Sequence, residues 1–258
     1  MPWSLLFVGE WGEALRTLAA EIALAEKNGD RYRAQTLHLY RAWIHLHAMD
    51  FAGVLDICHS VLPFLDEPAR RPWRRFCLTL AGSAEAGSGR YDAAAEQLLA
   101  ARGEMDRQPV INDWYCRMMI EEALANLWLA TKDLTRARPE AERFLELTQA
   151  TAERTWQALA WDANARVAMA SRDLGHAHRC VDRALSAMEG VEVPLAAWRV
   201  HRTAAELSRR AGNTAAAGHH RALGQATILG LANSLADDQY LRDLFLSAPS
   251  VRGSVDPG

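Results

Sequence analysis

One short pattern recurs along almost the whole chain at nearly constant spacing, and it restricts the fold more than any other feature. It is a turn residue, a polar residue, a bulky residue, two more, then a small one. It reads Gly9-Glu10-Trp11 with Ala14, Met49-Asp50-Phe51 with Val54, and Gly89-Arg90-Tyr91 with Ala94. It continues as Lys132-Asp133-Leu134 with Ala137, Arg172-Asp173-Leu174 with Ala177, and Gly212-Asn213-Thr214 with Ala217. The bulky anchors stand at 11, 51, 91, 134, 174 and 214, with spacings of 40, 40, 43, 40 and 40. Nine residues before the later anchors stand Ala42, Gly82, Ala125, Ala165 and Ala205, all small. Small side chains at two fixed points across a turn let two helices cross closely, and a large one would overpack the crossing at about 1–3 kcal/mol. The Gly, Asp or Asn between them supplies the turn and the N-cap of the second helix.

The segments between turns are rich in Ala, Leu, Arg and Glu, with apolar residues at three- and four-residue steps, such as Ala34, Leu37, Tyr40 and Ile44. The spacing predicts first helices at 30–48, 68–87, 111–131, 152–171 and 195–211. Second helices are predicted at 10–27, 50–65, 90–106, 133–149, 173–189 and 213–231. The three extra residues of the 43-residue interval are placed around 103–112, where Pro109 breaks the helical pattern.

The small–turn–bulky–small arrangement, as in Gly82, Gly89, Tyr91 and Ala94, resembles tetratricopeptide (TPR) repeats. The resemblance covers residues 9 to about 231 and departs from the family in its period, which is about 40 rather than about 34. The family's closing Pro is missing or displaced. Long-period arrays of this kind are similar to the superhelical region of large bacterial signalling ATPases and transcription regulators, of the maltose-regulon-activator and nucleotide-cyclase-associated types. The resemblance implies an all-α, right-handed solenoid of antiparallel helix pairs over 1–249. The amphipathic pattern of 237–247, with Leu241, Leu244 and Phe245 on one side, reads as a capping helix, and the small, polar tail 250–258 is expected to be disordered. It also implies a role in signal transduction or transcription regulation, with an ATPase module upstream in the parent protein as one partner.

The first repeat, 1–28, has a second helix but only an apolar stub, residues 2–8, in place of its partner. An inner repeat left at an end exposes its stacking face. The expectation is therefore a chain that starts inside an array and self-associates through the stub, or a stub folded back as a cap.

In TPR-like arrays the first helices line the concave side. Counting twelve and eight residues back from the anchors gives Leu39/Trp43, Thr79/Ser83, Glu122/Asn126, Asp162/Arg166 and Arg202/Glu206, and Arg199 is added from the fifteen-before position. The expected groove residues are Trp43, Glu122, Asn126, Asp162, Arg166, Arg199 and Arg202. An aromatic, carboxylates, an amide and arginines together suit a peptide's backbone and charged side chains. The plain alternative is that Asp162/Arg166 and Arg202/Glu206 are ordinary i,i+4 helix pairs. A second functional expectation is a small-molecule sensor in which Trp43, Trp161 or Trp198 stacks on an effector. Trp11, Trp73 and Trp156 sit at repeat positions that suit packing between helices.

Catalytic and metal chemistry find little support. The chain has no phosphate-loop, dinucleotide, nucleophile-elbow or H-E-x-x-H motif, and pairs such as His45/His47 and His176/His178 point to different helix faces. No catalytic residue, metal or cofactor is expected. A net charge of −3 supplies no basic field for nucleic acid. The longest uncharged run, 222–236, is too short and polar to span a bilayer. Four scattered cysteines without a C-x-x-C suit reduced thiols in the cytoplasm.

Overall fold

The turns organise the fold. In all six repeats the residue two before the anchor adopts a positive φ: Gly9, Gly89 and Gly212 at 84°, 79° and 76°, and Met49, Lys132 and Arg172 at 64°, 61° and 61°. A left-handed residue there ends the first helix in a Schellman motif. Arg172 N–H donates to the Met169 carbonyl and Asp173 N–H to the Ala168 carbonyl, at 3.2 and 2.9 Å. The same pair of bonds recurs at Met49/Asp50, Gly89/Arg90, Lys132/Asp133 and Gly212/Asn213. The next residue starts the second helix. The side chains of Asp50, Asp133, Asp173 and Asn213 accept from the backbone N–H three positions on, at 2.9–3.1 Å.

The protein is described by a computed structural model covering residues 2–111 and 113–255, with side chains from 4 to 253. Among these residues every regular element is helical, so the fold is all-α and solenoid-like, built of antiparallel pairs. The helices are α1 (Pro2–Phe7), α2 (Trp11–Lys27), α3 (Arg31–His47), α4 (Phe51–Val61), α5 (Arg71–Gly87), α6 (Tyr91–Arg107) and α7 (Asp113–Ala130). They continue as α8 (Leu134–Gln149), α9 (Arg154–Ala170), α10 (Leu174–Met188), α11 (Pro194–Arg210), α12 (Thr214–Ser234), α13 (Gln239–Ser247) and α14 (Pro249–Val255). The second helix expected over 50–65 stops at Val61. Pro63 cannot donate to an α-helical ladder, and the chain tightens into 3₁₀ turns at Leu62–Leu65 and Pro68–Arg70. The three extra residues of the long repeat are not one insertion. Relative to the following repeat, α6, the α6–α7 loop and α7 are each one residue longer. Gly103 lies within α6, whereas Asn112 lies outside the described residues.

Contacts divide the chain into two units. The first holds Met1–Leu6, Glu10–Ala123 and Ser234–Phe245. Here α3 packs on α2, α4 and α5, and α5 packs on α6. The small positions act as expected: Ala42, Val54 and Ala94 are fully buried, and a Cβ on Gly82 would stand 2.8 Å from Leu98 Cγ. Fully buried Arg75 ties α5 to the α6–α7 loop. Its Nη1 donates to both oxygens of Asp113 at 2.8 Å, and its Nη2 donates to the Gln108 and Glu104 carbonyls at 2.8 and 3.2 Å.

The same unit corrects the expectation of an open N-terminal stacking face. Trp11 is buried, with its indole N–H on the Leu6 carbonyl at 3.2 Å and its ring edge-on to Phe245 at 5.2 Å. Ser234 Oγ accepts from Trp11 N–H at 3.3 Å, and Arg16 pairs with Asp237 at 2.6 Å. The predicted capping helix exists as α13, and its Phe245 covers α2, where the sequence reading placed it over the last pair.

The second unit holds Phe7–Gly9, Leu124–Asn233 and Leu246–Gly258. In it α9 packs on α8, α10 and α11. Ala165 and Ala177 are fully buried beside Ala168, Cys180 and Leu207. Ala205, expected at the same contact point, is half-buried instead; its neighbour Ala204 takes the inward place. The tail expected to be disordered over 250–258 forms α14 as far as Val255, and Val251 is fully buried. Residues 256–258 lie outside the described residues.

Candidate functional site

A cluster of charged side chains in the second unit is built by the repeat itself. Asp162 on α9 and Arg166 one turn later occupy the twelve-before and eight-before positions of one repeat. Arg166 Nε donates to Asp162 Oδ2 at 2.9 Å. Its Nη2 donates to the Oδ1 of Asn126, the eight-before residue of the preceding repeat, on α7. Arg202 is the next twelve-before residue, and the charges of Arg166, Arg199 and Asp162 all act on it. Trp198 is buried beneath this group, with the Arg199 and Arg202 guanidinium carbons 4.9 and 5.4 Å from its ring centre, a cation–π arrangement. Arg199 also donates to the Leu195 carbonyl at 3.0 Å, and Arg202 Nη1 donates to the Ser250 carbonyl of α14 at 2.9 Å.

These four charged side chains, three arginines and one aspartate, sum to +2. Burial, joined by repulsion from Arg166 and Arg199 and offset by Asp162, pushes the Arg202 guanidinium down to about 10. It stays cationic near neutrality, yet the shift registers how unwelcome a further positive charge is at this point. Asp162 is itself buried, and its Oδ1 has no hydrogen-bond partner. The arrangement therefore gathers three guanidinium groups in a place partly withdrawn from water. It suits a carboxylate or another anionic group.

The expected residues fall in two places. Asn126, Asp162, Arg166, Arg199 and Arg202 come together in the second unit. Glu122 is half-buried on the part of α7 that belongs to the first unit. Trp43 also belongs to the first unit, and it is a correction: it is 2% exposed, edge-on to Tyr115 at 5.2 Å and to Phe76 at 5.8 Å. Aromatic side chains from α3, α5 and α7 fill the inner face there, so Trp43 is a packing residue. The expected Arg202/Glu206 pair is replaced, because Glu206 pairs with Arg209 and Arg210 at 2.8 and 2.7 Å. Trp161 packs against the α9–α10 core, and Trp198 carries the arginines.

Two features escaped the sequence reading. In the first unit a cavity of about 710 Å³ opens between the α2–α3 turn and the 3₁₀ turns. Arg70 and Arg31 lie over its Phe64 ring at 3.7 and 5.1 Å, while Asp30, Asp66 and Glu67 counter their charge. In the second unit His201 and His220 stack with ring centres 5.3 Å apart and Nδ1 atoms 3.2 Å apart. Burial, then the neighbouring imidazoles, hold His201 down at about 4.

Cys58, Cys77, Cys116 and Cys180 are buried free thiols. Burial pushes Cys116 up to about 12 and Cys180 up to about 11. Among the described residues no group of three or more His, Cys, Asp or Glu side chains is placed to hold a metal ion, and no helix is long and apolar enough to cross a membrane.

No family model matches the chain, and no curated protein matches it. Among solved structures it is similar to the crystal structure of BtubC (BKLC) from P. vanneervenii. The TM-score is 0.59 at 16% sequence identity, over 87% of this chain and 91% of that one. At that identity the likeness concerns the arrangement of helices alone.

Proposed function

We propose that this chain is a non-catalytic interaction scaffold that holds an acidic segment of a partner protein on the Arg166–Arg199–Arg202 cluster. The observation that carries the reading is the gathering of three arginines about Asn126, Asp162 and Trp198. Solvated surface arginines pair loosely and cost little to separate. These are held by partners within the chain before any ligand arrives, which lowers the entropy lost on binding. The metabolite-sensor alternative loses two of its three stacking surfaces, since Trp43 and Trp198 are each 2% exposed.

The sequence resemblance extends the proposal. The scaffold would be the regulatory region of a bacterial signalling ATPase or transcription regulator, acting in the cytoplasm on a protein segment. An ATPase module in the reading frame upstream would support that setting.

The test is fluorescence polarisation with acidic and basic versions of one labelled peptide. Binding is expected for the acidic version only, weakening as salt rises. Asn126→Ala with Arg166→Ala should weaken it about tenfold or more with helicity unchanged. Equal binding of both versions, or full binding by the double variant, would remove the proposal.

A further inference from the structure

We infer that His201 and His220 form a two-imidazole site for a divalent transition-metal ion of the zinc, nickel and copper class, and that the bound ion clamps α11 to α12. The inference stands apart from the arginine cluster and takes nothing from the acid-binding reading.

Three observations lead to it. The first is placement. His201 stands on α11 and His220 on α12, so the two donors come from the two helices of one pair. Gly224, one turn after His220, lets these helices approach: a Cβ there would stand 3.5 Å from His201 Cβ and 3.6 Å from the Trp198 carbonyl oxygen. The second is the bite. The ring centres are 5.3 Å apart and the Nδ1 atoms 3.2 Å apart, so each ring turns its Nδ1 toward the other. Two zinc–nitrogen bonds of about 2.0–2.1 Å hold their nitrogens about 2.9 Å apart at a right angle and about 3.3 Å apart at a tetrahedral one. The observed spacing falls between these values, whereas it lies at the long limit for a hydrogen bond. The third is the protonation state. Burial, then His220 and His219, holds His201 at about 4, and burial, then His219, lowers His220. Both rings are therefore neutral near pH 7, which is the form that ligates a metal.

Coordination needs little rearrangement. Among the described residues each of these imidazoles hydrogen-bonds only to the other, with one Nδ1 carrying the shared proton. That proton passes through water to Nε2 of the same ring, and both Nδ1 lone pairs then face the ion with no proton released. Water fills the remaining positions on the ion. Among the described residues no group of three or more His, Cys, Asp or Glu side chains is placed to hold a metal, and His219 tilts its ring 57° from that of His220. Two protein ligands make an open, exchangeable site, unlike the closed four-ligand sites that hold structural zinc. Imidazole nitrogens suit zinc, nickel and copper, whereas magnesium and calcium take oxygen ligands. The two helices bring the rings together only in the folded chain, so the ion binds the native state and stabilises it.

The experiment titrates zinc chloride into the full chain by isothermal calorimetry and follows the thermal melt with and without zinc. One equivalent should bind, and the melting temperature should rise with zinc chloride but not with magnesium chloride. His201→Asn and His220→Asn should each weaken zinc binding about tenfold or more, with helicity unchanged by circular dichroism. His176→Asn is the control, because His176 Nε2 lies 3.5 Å from the Cys180 sulfur and offers a second nitrogen–sulfur pair; this variant should bind zinc like the native chain. Nitrogen NMR of the imidazoles gives a reading that needs no substitution: zinc should move two histidines of the native chain to the Nδ1-bound, Nε2-protonated form. The inference is overturned if the native chain takes up no zinc, or takes it up without moving two imidazoles. It is also overturned if the His201→Asn, His220→Asn double variant keeps full affinity, which would leave the pair as a hydrogen-bonded packing contact, or if His176→Asn removes the binding.

Discussion

Lys132 and Arg172 hold left-handed backbone conformations, φ 61° in each case, on exposed turns where neither side chain is buried. A non-glycine residue pays about 1–2 kcal/mol for that conformation, because its Cβ crowds the following carbonyl oxygen. Glycine escapes this term and loses about 0.5–1 kcal/mol through the greater freedom of its unfolded chain. The net expectation for Lys132→Gly or Arg172→Gly is a gain of about 0.5–1 kcal/mol each. The turns belong to different repeats and share no partner, so the gains should add to about 1–2 kcal/mol. For a chain of this size that raises the melting temperature by about 3–6 °C. Thermal melts followed by circular dichroism measure it. Arg172→Val is the control in the opposite direction, because a β-branched residue is the poorest occupant of a left-handed position. The reasoning is refuted if the glycine variants melt at or below the native temperature, or if Arg172→Val melts with Arg172→Gly. Either result would mean that the backbone at these turns does not carry the conformation that the Schellman bonds require.

Other consequences are more local. Ala165→Trp should destabilise by several kcal/mol and Ala205→Trp by about 1 kcal/mol or less, since the first is enclosed and the second half-open; urea titration separates them. Arg75→Met should cost about 3–5 kcal/mol, because it strands the Asp113 carboxylate in a buried place; adding Asp113→Asn should recover part of the loss in the same titration. Stability should fall with acidity between about pH 6.5 and pH 4. His201 is held at about 4 when folded and titrates near 6.5 when unfolded, so over that window protons bind the unfolded chain first. His201→Phe should flatten that part of the stability curve, measured by urea midpoints from pH 7.5 to 4.

The repeat was legible because its turn chemistry and its small contact residues are local facts, spelled out at each recurrence. Less legible was how unevenly the bulky anchors are used. Trp11 is buried and Phe51 lies against Gly87, but Leu174 is 36% exposed and Thr214 is exposed. The turn and the small residue are enough to hold register in the later repeats, so the anchor is free to drift in type. The covering of Trp11 by Phe245 could not be read from a pattern at all. It joins residues more than two hundred positions apart, and a periodic sequence describes each repeat to its neighbour, not to its distant relatives.

The same distinction explains the site. Counting from the anchors named Asn126 and Arg166, which do meet, because equal offsets in consecutive repeats become stacked neighbours. Asp162 and Arg202 are related in the same way and interact electrostatically. The counting failed at Trp43, where the offset is the same but the neighbours are Phe76 and Tyr115, and aromatic bulk closes what polar residues would have left open. It also had no means of finding Ser250, which lies beyond the last repeat and reaches Arg202 from outside the period. A register argument thus predicts which inner-face residues become neighbours. Whether they form a surface or a core depends on their volumes, and what covers them depends on segments that obey no register.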